Sequence, residues 1–171
     1  AARNPQGTMV QLMGSGSILR EVREAAAILR DEFGVDADVW SMTSINELRR
    51  DGMACDRWNM LNPELPPRRP LITEQLEHRE GPVICATDYM KSYGEQIAPY
   101  IRGQFRALGT DGFGRSDTRS QLRHHFEVDR HFVVIAALKS LADEGKLDQT
   151  VVTTAIKKFG LKGDKSDPTT C

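Results

Sequence analysis

A short loop rich in glycine and in charged side chains contains the residues best suited to chemistry in this chain. It spans residues 109–119 and reads Gly-Thr-Asp-Gly-Phe-Gly-Arg-Ser-Asp-Thr-Arg. Its arginines could bind a carboxylate or a phosphate in a bidentate manner, or they could pair with the neighbouring aspartates and hold the loop. The close alternation of charge favours mutual pairing. The residues predicted to form an interface or an anion site are Asp111, Phe113, Gly114, Arg115, Ser116, Asp117 and Arg119.

A group of histidines and carboxylates follows this loop. Within eight positions the chain places His124, His125, Glu127, Asp129 and His131, which suggests a metal site at first reading. The spacing argues against one, because no His-x-x-x-His pair puts two ligands on one helical face and no cysteine lies nearby. We predict no metal ligand here, and we expect His124 and His125 to serve an interface or local hydrogen bonds.

A second glycine-containing turn, Gly-Ser-Gly-Ser at 14–17, lies between a predicted strand and a predicted helix. Anions often bind at such junctions. The turn lacks the third glycine of a dinucleotide fingerprint and the Gly-Lys-Ser/Thr ending of a P-loop. We therefore favour a tight turn with a helix cap over a phosphate site.

The composition sets broad limits on the class of protein. The 171 residues suffice for one domain, and a formal net charge of −1 offers no general attraction for nucleic acid or an anionic membrane. No apolar run approaches the roughly 18 residues that a membrane span needs. Three widely spaced cysteines, Cys55, Cys85 and Cys171, indicate neither a disulfide framework nor a zinc site, so we expect a cytoplasmic location. The chain starts without Met and without a signal region, so we expect a segment of a longer protein.

The elements that must position these loops alternate between strand and helix. Short apolar runs predict strands at 9–13, 35–43, 82–87 and 105–108. Helical periodicity and capping residues predict helices at 18–33, from Ser44 onward, at 73–78, from Asp88 to about 98, at 118–125, after Asp129, and at 148–159. Ser116 or Asp117 is expected to cap the helix near 118. This alternation predicts an α/β protein with three layers, α/β/α, around a mainly parallel sheet.

Several motifs occur in an order typical of one family. They are Val-Gln-Leu-Met-Gly-Ser-Gly-Ser at 10–17, Arg-Trp-Asn-Met-Leu at 57–61, Thr-Asp-Tyr-Met-Lys at 87–91, Leu-Gly-Thr-Asp-Gly-Phe-Gly-Arg-Ser-Asp at 108–117 and Arg-His-His-Phe-Glu-Val-Asp at 123–129. Together they resemble the C-terminal, transketolase-like domain of the homodimeric bacterial pyruvate dehydrogenases. The resemblance extends over about 9–159.

The resemblance implies a three-domain enzyme of which this chain is the last domain. Such an enzyme uses thiamine diphosphate and Mg²⁺ to decarboxylate pyruvate, and it passes the acetyl unit to a lipoyl group on the dihydrolipoyl acetyltransferase component. The implied partners are the remaining domains, a second subunit of a homodimer and that acetyltransferase. The family's third domain has a small mixed sheet, so we expect about five strands with one antiparallel.

The chain lacks a motif that the complete enzyme of this family contains. The thiamine diphosphate motif, Gly-Asp-Gly followed some 25 to 30 residues later by Asn, is absent, and Thr-Asp-Gly at 110–112 matches only its centre. We therefore assign no catalytic, cofactor-binding or metal-binding residue, and we expect the chain alone to be inactive and to support assembly and dimerisation. A stand-alone anion-binding or regulatory module built on 109–119 is the alternative. The expected organisation is a linker remnant at 1–8, the domain at 9–160 and a tail at 161–171.

Overall fold

The computed structural model describes residues 7–170, so most of the linker predicted at 1–8 and the last residue of the tail lie outside the described part. The strands are β1 (Met9–Gly14), β2 (Asp36–Ser41), β3 (Val83–Ala86) and β4 (Phe105–Leu108). The helices are α1 (Leu19–Phe33), α2 (Ile45–Leu61), α3 (Leu71–Leu76), α4 (Lys91–Glu95), α5 (Arg119–His125), α6 (Arg130–Asp143) and α7 (Gln149–Lys158). Single 3₁₀ turns occupy Gly16–Ile18 and Ala98–Tyr100. Within the described chain, no helix is both long enough and apolar enough to span a bilayer.

The four strands form one parallel sheet in the order β2-β1-β3-β4. The α/β class is confirmed, but the fifth, antiparallel strand is not found among residues 7–170. The reason lies after β4, where the apolar residues recur with helical spacing and form α6 and α7 instead of another strand.

Helices cover both faces of the sheet and create two cores. Alternating residues of β1 serve both sides, since Leu12 joins the first core and Met13 joins the second. The first core lies between the sheet and α1, α6 and α7, where it buries Val22 and Leu141. The second lies between the sheet and the layer of α2, α3 and α4, where it buries Ile45. These are the three predicted layers.

Local capping explains where most helices begin. The Ser44 hydroxyl accepts a hydrogen bond from the Glu47 backbone N–H at 3.3 Å, as the predicted capping box requires. Asp129 accepts from the backbone of His131 and Phe132, and Asp148 accepts from the backbone of Thr150. The caps predicted at Ser44 and Asp129 are confirmed, because each depends only on residues within a few positions along the chain.

Two predicted caps are wrong. Asp88 does not begin a long helix, since its carboxylate accepts a hydrogen bond from the Ser17 hydroxyl and the short helix α4 starts only after Met90. The cap of α5 is Thr118, whose hydroxyl accepts from the Gln121 backbone N–H, rather than Ser116 or Asp117. At Asp88, the hydrogen bond from Ser17 on the neighbouring loop replaces the helix-capping role that the sequence predicted.

The tail after α7 packs against the glycine-rich loop. Pro168 is buried, and its carbonyl lies so close to Gly112 that an added Cβ would stand 2.0 Å from the oxygen. Gly112 also has a φ of +112°, a backbone angle that residues other than glycine rarely adopt. The Lys165 ammonium donates to the His125 carbonyl at 2.7 Å and to the Glu127 carboxylate at 3.0 Å. These contacts fix the tail against the loop and against the end of α5.

Replacing Gly112 by Ala tests this packing. We expect Gly112→Ala to lower the free energy of unfolding by more than about 1 kcal/mol, because it adds strain at positive φ and displaces the tail. Gly114 is the matched control, since it has no positive φ and an added Cβ there would meet nothing within 4 Å. Gly114→Ala should stay within about 0.5 kcal/mol of wild type. Urea unfolding measures both, and equal losses in the two variants would contradict the docked tail.

Candidate functional site

The candidate site lies at the carboxyl edge of the sheet, where the strand order reverses. From β1 the chain leaves through α1 on one face, and from β3 it leaves through α4 on the other, which opens a crevice between these strands. Side chains of the two loops meet there. The Ser15 and Thr87 hydroxyls lie 2.9 Å apart, and the Ser17 hydroxyl donates to the Asp88 carboxylate at 3.2 Å. The Gly-Ser-Gly-Ser turn is thus held by contacts with the neighbouring loop.

The glycine-rich loop after β4 joins the same edge. The Thr110 N–H donates to the Tyr89 carbonyl and its hydroxyl donates to the Asp88 carbonyl, both at 2.8 Å. Gly109 is needed for this approach, since an added Cβ would stand 2.5 Å from the Lys91 nitrogen. Three loops from three strands therefore form one surface.

Beside this surface lies a cleft of about 1000 Å³ with arginines on several sides. We call it the arginine cleft, and its lining residues include Arg20, Arg23, Arg119, Arg123 and Arg130. The carboxylates in its lining are Glu21 and Asp129. A smaller lobe of about 470 Å³ adjoins it and shares Ser17, Arg119 and Arg123. The excess of guanidinium groups makes the cleft electropositive.

A buried carboxylate organises two of these arginines. Glu21 is only 4% exposed, and its oxygens accept from Arg123 at 2.8 Å and from the Arg130 guanidinium at 2.9 Å. Burial alone would raise the pKa of Glu21, but hydrogen bonds and charge from Arg130 and the charge of Arg123 outweigh it and hold this pKa below its ordinary value. Glu21 therefore stays ionised and joins α1 to α5 and α6.

The charged side chains of the glycine-rich loop do not pair as the sequence suggested. Asp111 accepts from the Lys91 backbone N–H at 3.2 Å, and Asp117 accepts from the Thr118 N–H at 2.6 Å. The cation nearest to Asp111 is the Lys91 ammonium at 3.9 Å, and Arg115 and Arg119 form no ion pair within residues 7–170. The predicted mutual pairing is wrong, and both arginines remain exposed.

The rest of the predicted loop is also open to solvent. Phe113 is 77% exposed, and Gly114 and Ser116 are exposed as well. An interface and an anion site at this loop both remain predictions.

The histidines occupy separate environments instead of converging. His124 Nδ1 lies 3.0 Å from the Asp129 carboxylate, while His131 stacks on Phe159 with ring centroids 4.6 Å apart. His125 Nε2 is buried and has no hydrogen-bond partner within residues 7–170. Burial, aided by the charges of Arg115 and Lys165, lowers the pKa of His125. This imidazole is therefore biased towards its neutral form.

The described thiols are poorly suited to nucleophilic chemistry. Cys55 and Cys85 are free and buried. Burial raises the pKa of Cys85 to about 12, so its thiol stays protonated near neutral pH. The second core thus uses Cys85 as a small apolar side chain.

Comparison with known proteins identifies the family to which this fold and these loops belong. A family model described as "Transketolase-like TK C-terminal domain" matches residues 1–129. The chain belongs to this family. The transketolase-like resemblance drawn from the motifs is confirmed.

Two bacterial proteins are similar to nearly the whole chain. The chain is 56% identical over 163 residues to the pyruvate dehydrogenase E1 component of Pseudomonas aeruginosa, a match covering 95% of this chain and 18% of that protein. It is 54% identical over 160 residues to the Escherichia coli K12 protein of the same name, covering 93% of this chain and 18% of that protein. The chain therefore spans less than a fifth of the length of these relatives.

A solved structure supports the fold independently. A chain described as a split gene transketolase, inactive beta4 tetramer, matches with a TM-score of 0.55 at 19% identity, covering 80% of this chain and 40% of that one. At this level of identity the likeness establishes the transketolase-like architecture and no more.

The cofactor implied by the family does not fit the arginine cleft. Thiamine diphosphate held through Mg²⁺ needs oxygen ligands around the metal, typically carboxylates. Within residues 7–170, no three side chains of His, Cys, Asp or Glu converge so as to hold a metal ion. The two carboxylates of the cleft are already engaged, Glu21 by arginines and Asp129 by His124 and the start of α6.

Sequence reasoning missed the residues that α1 and α6 bring to the cleft, namely Arg20, Glu21, Arg23 and Arg130. One signal was present. Glu21 lies three residues after Ile18 and four before Ala25, on the apolar face of α1, and a carboxylate on such a face needs a cation. The identity of that cation could not be read from the sequence, because Arg123 lies 102 positions away.

Replacing Glu21 by Gln tests the buried ion pair. At pH 7 we expect Glu21→Gln to cost about 2 kcal/mol of unfolding free energy, because two close guanidinium groups lose their shared counter-ion. The folded state favours the ionised form of Glu21, whose pKa lies below its ordinary value. The unfolding free energy lost in Glu21→Gln should therefore stay constant above about pH 5 and shrink as the pH falls below about 4.3, the ordinary pKa of glutamate.

The matched control is Glu24→Gln on the same helix. Glu24 is about half exposed and lies 3.4 Å from Arg130, so its removal should change stability by less than about 0.5 kcal/mol. Urea unfolding across this pH range measures both variants. A cost of Glu21→Gln that persists at acid pH would show that the ion pair is not its cause.

Proposed function

We propose that this chain is the C-terminal domain of a thiamine diphosphate-dependent pyruvate dehydrogenase, and that it supports assembly and dimerisation while the reactive centre lies elsewhere in the protein. The observation that carries the proposal is identity above half over nearly the whole chain to proteins named pyruvate dehydrogenase E1 component, of which it matches 18%. The domain is taken as 9–160, with 1–8 as linker and 161–171 as tail.

The proposed parent enzyme decarboxylates pyruvate and acetylates the lipoyl group of the dihydrolipoyl acetyltransferase component. Its cofactors, thiamine diphosphate and Mg²⁺, would supply the carbanion-stabilising chemistry from sites in the other domains. The proposed setting is a homodimer in a cytoplasmic multienzyme complex. Within this enzyme the present chain would supply shape and contact surface, and no proton transfer is assigned to its side chains.

Exposed apolar side chains at the carboxyl edge support the assembly role. Tyr89, Met90 and Phe113 are 59%, 58% and 77% exposed, and they follow β3 and β4 on adjoining loops. We call these three residues the carboxyl-edge patch. Apolar surface of this kind typically marks a contact with another domain or subunit. We propose that the patch packs against the remaining domains or the second subunit.

Exposed arginines favour a second candidate function. Arg115 and Arg119 form no ion pair within the described chain and stand on the glycine-rich loop, so a stand-alone anion-binding or regulatory module built on 109–119 is the alternative. Anion binding and assembly use different side chains of this edge. The two functions are therefore compatible within one domain.

Cofactor binding provides one test of where the reactive centre lies. Isothermal titration of the 171-residue chain with thiamine diphosphate should show no Mg²⁺-dependent binding, because no described cluster of carboxylates can hold the metal. A dissociation constant in the micromolar range that requires Mg²⁺ would contradict the proposed location of the cofactor.

Phe113→Ser in two settings tests the carboxyl-edge patch. In the 171-residue chain the variant should lie within about 0.5 kcal/mol of wild type, because the ring is exposed there. In the full-length enzyme it should cost about 2 kcal/mol of unfolding or dimerisation free energy, because the ring is then buried. Denaturation and light scattering over a dilution series measure these quantities.

Val39→Ser is the matched control, since Val39 is exposed on the edge strand β2 and lies outside the patch. It should leave both proteins unchanged. An unaltered full-length Phe113→Ser enzyme would remove the support that the patch gives to the assembly role.

A further inference from the structure

The arginine cleft contains more guanidinium groups than its carboxylates pair with. Glu21 engages Arg123 and Arg130, but Arg20, Arg23 and Arg119 form no ion pair within residues 7–170. All three are exposed to solvent at the cleft. Because like charges gathered in one cleft repel each other, this arrangement is most stable when an anion lies among them.

One guanidinium group of the cleft is held in place by the fold, and two others share a helix face. Arg123 is held between the Glu21 carboxylate at 2.8 Å and the Ser17 hydroxyl at 3.3 Å. On α1, Arg20 and Arg23 are three residues apart and therefore share one face of the helix. Guanidinium forks match phosphate oxygens in bidentate pairs, which makes phosphate a fitting ligand class.

The size and the lining of the cleft limit the class of ligand further. A volume of about 1000 Å³ is at the upper end of small-molecule sites. The adjoining lobe of about 470 Å³ shares Ser17, Arg119 and Arg123 with it. Its lining also includes Asp88 and Arg115, and its apolar part is formed by Ile18, Leu122, Phe126 and Val128. A molecule that fills both parts needs a strongly anionic end and an uncharged, ring-sized body.

We propose that the arginine cleft and its apolar lobe form a binding site for a nucleotide-like molecule with two or more phosphates. The phosphates lie among Arg20, Arg23 and Arg119, and the uncharged body lies against Leu122 and Phe126. The cleft carboxylates Glu21 and Asp129 are engaged by side chains of the fold, and Asp88 of the lobe accepts from the Ser17 hydroxyl. Since no three metal-ligating side chains converge within residues 7–170, we expect binding without Mg²⁺. This property separates the site from one for a metal-bound diphosphate cofactor.

Calorimetric titration of the 171-residue protein in the presence of EDTA tests the site. The probes are ADP, inorganic diphosphate and adenosine. We expect ADP to bind saturably, inorganic diphosphate to bind at least about tenfold more weakly, and adenosine to give no heat. No saturable binding of ADP or of inorganic diphosphate would overturn the proposal, and diphosphate binding as tightly as ADP would overturn the role of the apolar lobe.

Charge variants locate the binding. The double variant Arg20→Gln/Arg23→Gln removes exposed guanidinium groups without ion pairs, so the fold is retained and ADP affinity should fall about tenfold or more. The control Arg57→Gln removes an exposed arginine of α2, in the opposite helical layer, and should leave affinity unchanged. Equal affinity in the double variant and the control would overturn the assignment. The proposed assembly role is untouched by either result, because it depends on the carboxyl-edge patch.

Discussion

The reversal of strand order between β1 and β3 is the constraint on which the rest of the structure depends. Because α1 and α4 leave these strands on opposite faces, the loops that follow them separate and open a crevice at the carboxyl edge. The contacts of Ser15 with Thr87 and of Ser17 with Asp88 close the base of this crevice. The glycine-rich loop can then settle on it, because Gly109 permits a backbone approach that any side chain would block.

A single buried carboxylate joins the helices around this edge. Burying Glu21 is costly on its own, and the cost is offset only because Arg123 and Arg130 both reach it. The same ion pair ties the last turn of α5 and the first turn of α6 to α1. It also determines which arginines are neutralised and which remain free at the cleft. Stability and electrostatics at the site are therefore two consequences of one interaction.

Two surfaces with different chemistry adjoin at the carboxyl edge. The carboxyl-edge patch is apolar and suits a contact with protein, whereas the arginine cleft is cationic and suits a phosphorylated molecule. Since Phe113 and Arg115 belong to the same loop, a partner that orders this loop would also change one wall of the apolar lobe. The geometry gives assembly and ligand binding a physical means to influence each other.

The sequence by itself determined the parallel strands, most helices and the caps at Ser44 and Asp129, because periodicity and capping act over a few neighbouring residues. It also carried the motifs of the transketolase-like family. Only the tertiary structure decided that Asp88 binds Ser17 instead of capping a helix, that Arg123 pairs with Glu21 of α1, and that Pro168 packs on Gly112. Each of these contacts joins residues more than fifty positions apart. Partners so distant along the chain are chosen by how the layers pack, and no local pattern encodes that choice.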